Sequence, residues 1–384
     1  MQKSSLVLIV SAIVLIAAVG GAVVLMQDDG DDGNNKVTDV RGRTVSLPDE
    51  VDKVVCLQAG TVRLVTYLGC EDKIVGVDSM DAKKKGPTPF FYHATYRLAF
   101  DSSKAIDMKD DTVVQEGKFY NVGGAENYKA IQKTGGNVIF CSEPEIAKLN
   151  AIQTQTGIPV VGVHAEGNIT VEDAQFRENL ELVGKVMGCE ARAKALADGA
   201  AAMAADLRDK AAGIPKADRP DCFIGGIMFM MESSFYMTTG NFLPFDMGGA
   251  HNVMPFKNGT PWPTEVNELA ASGADYIFVD SMKIQQSKNK FLEDRATLTG
   301  LPAVDEDRIY SLYAYKFYGT NWETELMNAY YIGSLLHPEV YGNMAQAEIN
   351  INLVLDLFYP DHDLTADLLN EKQGPGAVKL DWQS

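Results

Sequence analysis

Positive charge is scarce in this chain: 34 lysines and arginines stand against 52 aspartates and glutamates, a formal net charge of −18. A surface of that sign cannot replace the counterions of a phosphate backbone, which excludes nucleic acid as a partner. Cysteine is sparse as well. Cys56, Cys70, Cys141, Cys189 and Cys222 are widely spaced without a CxxC pair, so neither a zinc finger nor a disulfide-dense scaffold fits. Cys56, Cys141 and Cys222 lie in or beside apolar runs and read as buried free thiols, while the spacing leaves room for one disulfide. Five scattered histidines, His93, His164, His251, His337 and His362, offer no metal-ligand spacing. The chain also lacks GxSxG, P-loop, HExxH and GxGxxG stretches, so no catalytic residue, resident metal or cofactor is assigned and an enzyme is not expected.

One long apolar run is present. Leu6 to Met26 is an uncharged stretch of 21 residues, preceded by Lys3 and followed by "QDDGDDGNN". At about 1.5 Å per residue it spans the roughly 30 Å bilayer core, and the charge asymmetry sends everything after it across the membrane. Residues 1–26 are therefore expected to be an uncleaved anchor, with a cleaved signal peptide as the alternative. The acidic Gly/Asn segment, residues 27–36, reads as a flexible tether.

Beyond the tether, short β-rich runs alternate with helical stretches, the pattern of parallel strands joined by crossover helices. The strand runs are 53–57, 73–77, 137–140 and 159–163 in the first half, then 221–230, 275–280 and 307–313 in the second. Two α/β lobes follow, 37–188 and 215–384. Between them the alanine-rich segment 189–214 carries Leu196, Met203 and Leu207 at helical spacing. Some 23 residues of helix within it reach about 35 Å, long enough to bridge two lobes. "YKAIQKTGGNVIF" (128–140) and "NELAASGADYIFV" (267–279) share one helix, glycine-turn, strand order, a weak internal repeat.

Several stretches taken in order resemble a known family: "VTDVRGRTVSLPDEVDKVVCL" (37–57), "LGCEDKIVGVDS" (68–79), "TGIPVVGV" (156–163), "GGAHNVM" (248–254), "LPAVDEDRIYSL" (301–312) and "LLHPEVYG" (335–342). They are similar to the periplasmic binding proteins that deliver ferric siderophores, haem and cobalamin to ABC importers, and the resemblance covers Val37 to Tyr341. It implies two Rossmann-like lobes with mainly parallel sheets, a single bridging helix, and a metal chelate bound in the cleft between the lobes. Its implied partners are a permease dimer with its ATPase subunits. The chain would then be a monomer tethered on the extracytoplasmic side of the cell membrane. A corrinoid is the alternative ligand, haem or molybdate stand lower, and a surface receptor without a transporter is the alternative role. Docking in this family uses one acidic residue per lobe, early in the helix before the third strand. Lys129 and Asn267 occupy those positions here, a departure that leaves Glu126, Glu265 and Glu268 as substitutes.

In open α/β sheets ligands sit beyond the carboxyl ends of the strands. Four segments fall there. "QAGTVR" brings Gly60, Thr61 and Arg63 to a helix start that favours an anion. The aromatic loop 87–100 carries Tyr92, His93, Tyr96 and Arg97, with Arg97 suited to a bidentate anion contact. Phe229, Met230 and Tyr236 follow the first strand of the second lobe, and Trp262 stands in the Pro-braced "TPWP". "YAYKFYGTNW" assigns Tyr313 to the core and Asn321 to a helix cap, leaving Tyr315, Phe317, Tyr318 and Trp322 as lining. For each segment the bland reading is packing within its own lobe or a solvated charge.

Overall fold

A computed structural model of the 384-residue chain describes residues 35–78, 81, 94–104, 106, 125–165, 167–229, 234–257, 260–373 and 376–382. Among these residues no helix is long and apolar enough to cross a membrane. The expected anchor, residues 1–26, and the tether up to residue 34 lie outside them. The chain divides into two compact units.

The first unit opens with an antiparallel hairpin, β1 Lys36–Thr38 and β2 Thr44–Ser46. Its sheet comprises β3 Val54–Leu57, followed by helix α1 Val62–Tyr67, then β4 Ile74–Val77, α2 Ala125–Lys133, β5 Val138–Cys141, α3 Ile146–Thr156 and β6 Val160–Gly162. The order is β4-β3-β5-β6, all parallel. The strands are apolar on both faces, as a parallel sheet covered by helices requires, and Val55, Leu57, Ile139, Cys141 and Val160 share one core with Ile131, Leu149 and Ile152 from α2 and α3. α4 Ala174–Met187 ends at Gly188 in the left-handed conformation, φ 69°. α5 Glu190–Ala212 then runs for 23 residues, the helix length the sequence suggested within 189–214.

The division between the units falls inside α5, after Gly199, and the first unit also takes residues 357–362. The cause is local packing: a side chain at Gly199 would meet Leu357 at 2.7 Å, and the Tyr67 ring lies edge-on to Phe358 and Tyr359 at 4.9 and 5.5 Å.

The second unit contains β7 Asp221–Gly225, β8 Met237–Thr238, α6 Leu243–Gly248, β9 His251–Asn252, β10 Trp262–Pro263, α7 Val266–Ala270, β11 Tyr276–Asp280, α8 Ile284–Leu298, α9 Pro302–Asp305 and β12 Ile309–Leu312. Then come α10 Trp322–Leu336, α11 Pro338–Tyr341, α12 Met344–Phe358 and α13 Ala366–Gln373. Its sheet has the order β12-β11-β7-β9, again all parallel, with β8 and β10 as a separate antiparallel pair. Numbered within each unit, both four-stranded sheets read 2-1-3-4. β7 is five residues rather than the ten of the apolar run, because Gly226 turns the chain at φ 77°. A His337 ring nitrogen pairs with the Gly249 carbonyl at 2.9 Å.

Candidate functional site

In a sheet of order 2-1-3-4 the crossover connections leave the first strand in opposite directions, so a crevice opens beyond the carboxyl ends of strands one and three. In the first unit these are β3 and β5. After β3, Gln58 adopts a left-handed φ of 65°, uncommon for a side chain of its size, and Gly60 follows at 86°. Acidic residues after β4 hold this bend. Asp78 accepts the Gln58 N–H at 3.1 Å, and both Asp81 oxygens accept the Gly60 N–H at 3.1 and 3.0 Å.

Asp81 is also where the predicted residues converge. The Tyr96 hydroxyl donates to it at 2.6 Å, and the Arg63 guanidinium lies over the Tyr96 ring at 5.0 Å. Tyr96, Arg63 and Asp81 are fully buried and Arg97 nearly so. Burial pushes the Asp81 carboxyl above the usual carboxylate range, opposed by the Tyr96 and Gly60 hydrogen bonds and by Arg97 and Arg63. Burial likewise pushes the Tyr96 hydroxyl well up, with Asp81 adding to it. The Thr61 hydroxyl, buried at the head of α1, has no hydrogen-bond partner among the described residues. Gly60, Thr61, Arg63, Tyr96 and Arg97 are thus brought together, whereas Tyr92 and His93 lie outside the described residues.

Beyond β5 is a second set that sequence reasoning missed. Gln58 donates to Glu143 at 3.0 Å and accepts from the Ser142 hydroxyl at 2.9 Å, while Arg41 reaches the Ser142 and Glu143 carbonyls at 3.2 and 3.3 Å. The available signal was position: Asp78, Ser142 and Glu143 each follow directly on a strand.

In the second unit the corresponding strand ends are β7 and β11. Asp280, the last residue of β11, is buried and accepts the Tyr315 and Met282 N–H groups, both at 2.7 Å. Burial raises its carboxyl to about 7, against those two hydrogen bonds. Tyr315 donates to Glu325 at 3.3 Å, and its ring meets Phe242 edge-on at 4.8 Å. Lys316 lies over the same ring at 5.5 Å, its amine lowered by burial to about 8 with Glu325 opposing.

The aromatic stretch therefore splits differently from the expectation. Tyr315, Phe317 and Trp322 are buried along with Tyr313, and Tyr318 alone of the five rings is partly open, at the tip of a turn closed by the Phe317 N–H to the Gly319 carbonyl at 2.9 Å. The physical reason lies in α10, buried on every side from Trp322 to Ser334, which leaves its first turn no solvent face. Asn321 precedes that helix as expected, but its side chain donates to the Ala314 carbonyl at 2.8 Å instead of capping. Tyr236 belongs to the interior too, edge-on to Phe235 at 5.1 Å. Phe229 is half-buried just past β7, and Met230 lies outside the described residues. Trp262 is half-buried in β10 beneath Lys257 at 4.7 Å, its indole N–H without a hydrogen-bond partner among the described residues.

The docking candidates occupy exposed helix starts. Glu126 is in the first turn of α2 with Lys129 one turn on, both exposed. Glu265, Asn267 and Glu268 are exposed at the start of α7. Glu268 is engaged locally, accepting from the Thr264 hydroxyl at 2.6 Å and the Glu265 N–H at 3.4 Å, which lowers its carboxyl.

No protein-family model and no curated protein matches this sequence. Solved structures do match in fold. A periplasmic solute-binding protein from Veillonella parvula superposes with a TM-score of 0.64 at 18% identity, covering 88% of this chain and 96% of that one. The Haemophilus influenzae molybdate-binding protein MolA, bound to molybdate, gives 0.62 at 15% identity over 86% and 99%. Helicobacter pylori CeuE with Ni(II) bound gives 0.59 at 12% identity over 88% and 98%. The chain has the fold of the periplasmic solute-binding proteins of ABC transporters. Identities this low establish the fold and not the ligand.

Proposed function

We propose that the protein is the extracytoplasmic substrate-binding component of an ABC importer and that it captures an anionic metal chelate, a ferric siderophore foremost. The observation that carries this reading is the buried Arg63, Asp81, Tyr96 and Arg97 cluster at the carboxyl end of β3. Two guanidiniums gathered at a strand's carboxyl end suit an anionic group, which a guanidinium meets with strong charged hydrogen bonds. Ligands are delivered unchanged to the permease dimer and its ATPase subunits, so the protein is a carrier and no group on it is asked to do chemistry. The apolar run Leu6 to Met26 tethers it, as a monomer, to the outer face of the cell membrane.

A corrinoid is the second reading, and it rests on Trp262. A half-buried indole, its buried N–H without a hydrogen-bond partner among the described residues, is an aromatic body against which a large planar ligand can pack.

Arg97→Met and Trp262→Ala distinguish the two. For an anionic chelate, loss of a charged hydrogen bond is expected to weaken affinity about tenfold or more in Arg97→Met and little in Trp262→Ala. Equilibrium titration of the part of the chain after Asn35 measures both. Full affinity in Arg97→Met for every ligand that the natural chain binds would remove the anion reading.

A further inference from the structure

We propose that Cys70 and Cys189 form a closable thiol pair, which a small disulfide oxidant converts into an intramolecular disulfide clamping the end of α1 to the start of α5. The two sulfurs are 3.6 Å apart although 119 positions separate them in the sequence. That is contact distance, so a bond of about 2.05 Å needs an approach of only about 1.5 Å.

Both residues stand in the same local setting. Each belongs to a Gly-Cys-Glu triplet, and each follows a glycine in the left-handed conformation that ends one helix, Gly69 at 66° and Gly188 at 69°. The backbone on either side is fixed: the Cys70 N–H bonds the Val65 carbonyl at 3.2 Å, the Cys189 N–H bonds the Gly184 carbonyl at 2.8 Å, and the Cys189 carbonyl accepts from Ala193 at 3.0 Å. Gly184 allows the α4 and α5 backbones to come close, since a Cβ there would meet that of Ala193 at 2.5 Å. Two anchored helix junctions therefore present their thiols to one another.

The surroundings suit exchange chemistry. Cys70 is buried and Cys189 is partly open, so an oxidant has one sulfur to reach. The hydrogen bond between the two thiols holds Cys70 below its ordinary value against burial, with Lys73 adding to the effect, while the same bond and burial push Cys189 up. Lys73 is itself fixed, donating to the Val51 and Met187 carbonyls, both at 3.3 Å. Arg192 lies one turn into α5 and bonds the Tyr67 and Leu357 carbonyls at 2.7 and 2.5 Å, tying the same two elements together non-covalently.

Closure balances with a disulfide as oxidant. One thiol of the pair loses its proton and attacks one sulfur of the oxidant, forming a mixed disulfide and releasing the first thiol. The other thiol of the pair then loses its proton and attacks the protein sulfur of that mixed disulfide, forming the protein disulfide and releasing the second thiol. The protein gives up two electrons and two protons, and the oxidant is reduced to two thiols. Cys56, Cys141 and Cys222 are buried in β3, β5 and β7 and serve as internal controls.

The test uses the full chain, reduced, freed of reductant and incubated with oxidised glutathione, then denatured and alkylated for mass analysis. The expected product has three of its five cysteines alkylated and yields one peptide pair linked through Cys70 and Cys189. Oxidation should raise the melting temperature by on the order of 5 °C, an effect absent from Cys189→Ser. Five alkylated cysteines, a stable glutathione adduct on Cys189 beside a free Cys70, or a disulfide linking any other pair overturns the proposal. An unchanged melting temperature in chain shown to be linked overturns the clamp.

Discussion

At Gly60 the backbone decides whether the Arg63, Tyr96 and Asp81 cluster can form. A Cβ there would stand 2.4 Å from the Arg63 guanidinium, at a φ of 86° that side chains resist. Gly60→Ala is therefore expected to lose about 1–3 kcal/mol of stability and to displace Arg63, which urea unfolding and ligand titration respectively measure. Asp280 sets a second residue-level expectation. Its carboxyl is raised in the folded chain from 3.8 to about 7, so between those values the native state binds a proton that the unfolded state has released. That contribution to stability is fully present below about pH 4 and is lost as pH rises through about 7. Asp280→Asn should flatten the fall: between pH 5 and 7.5 the natural chain is expected to lose more urea stability than the variant, and equal losses would show that Asp280 does not carry the proton.

Among the elements, the strands were the most legible, because runs such as "KVVCL" and "DYIFVD" are β-branched or aromatic and apolar on both faces. The core of each sheet lies within two residues of those runs, apart from the first strand of the second unit, which Gly226 cuts short. Aromatic loop residues were less legible, since a ring that lines a crevice and one that plugs the interior look alike in sequence. Trp322 and Tyr315 became interior because α10 is buried all round, a consequence of α6 and α11 packing so closely that Gly248 and Gly333 have no room for side chains. The acids Asp78, Asp81 and Glu143 escaped notice because single carboxylates usually mark solvent. At the helix starts, Glu126 and Glu265 are exposed acidic groups, and Glu265 and Glu268 cap the start of α7 reciprocally, each carboxylate accepting the other's N–H. Glu126→Arg and Glu265→Arg are expected to impair cellular uptake while leaving ligand affinity unchanged; unimpaired uptake in both would place docking elsewhere.

Across the whole molecule, two sheets of the same 2-1-3-4 strand order explain the weak internal repeat. The matching stretches 128–140 and 267–279 lead into β5 and β11, the third strand of each sheet. Architecture was thus readable from alternation and repeat, whereas ligand chemistry depends on a few buried polar side chains drawn from distant segments. The central claim is that these groups bind a metal chelate without altering it. Fluorescence of the three tryptophans tests it most directly, by titrating the part of the chain after Asn35 with ferric siderophores, cobalamin, haem and molybdate. The account predicts saturable quenching by at least one chelate, with the ligand recovered unchanged. Failure of every candidate to bind, together with chemical turnover of any one of them, would contradict it.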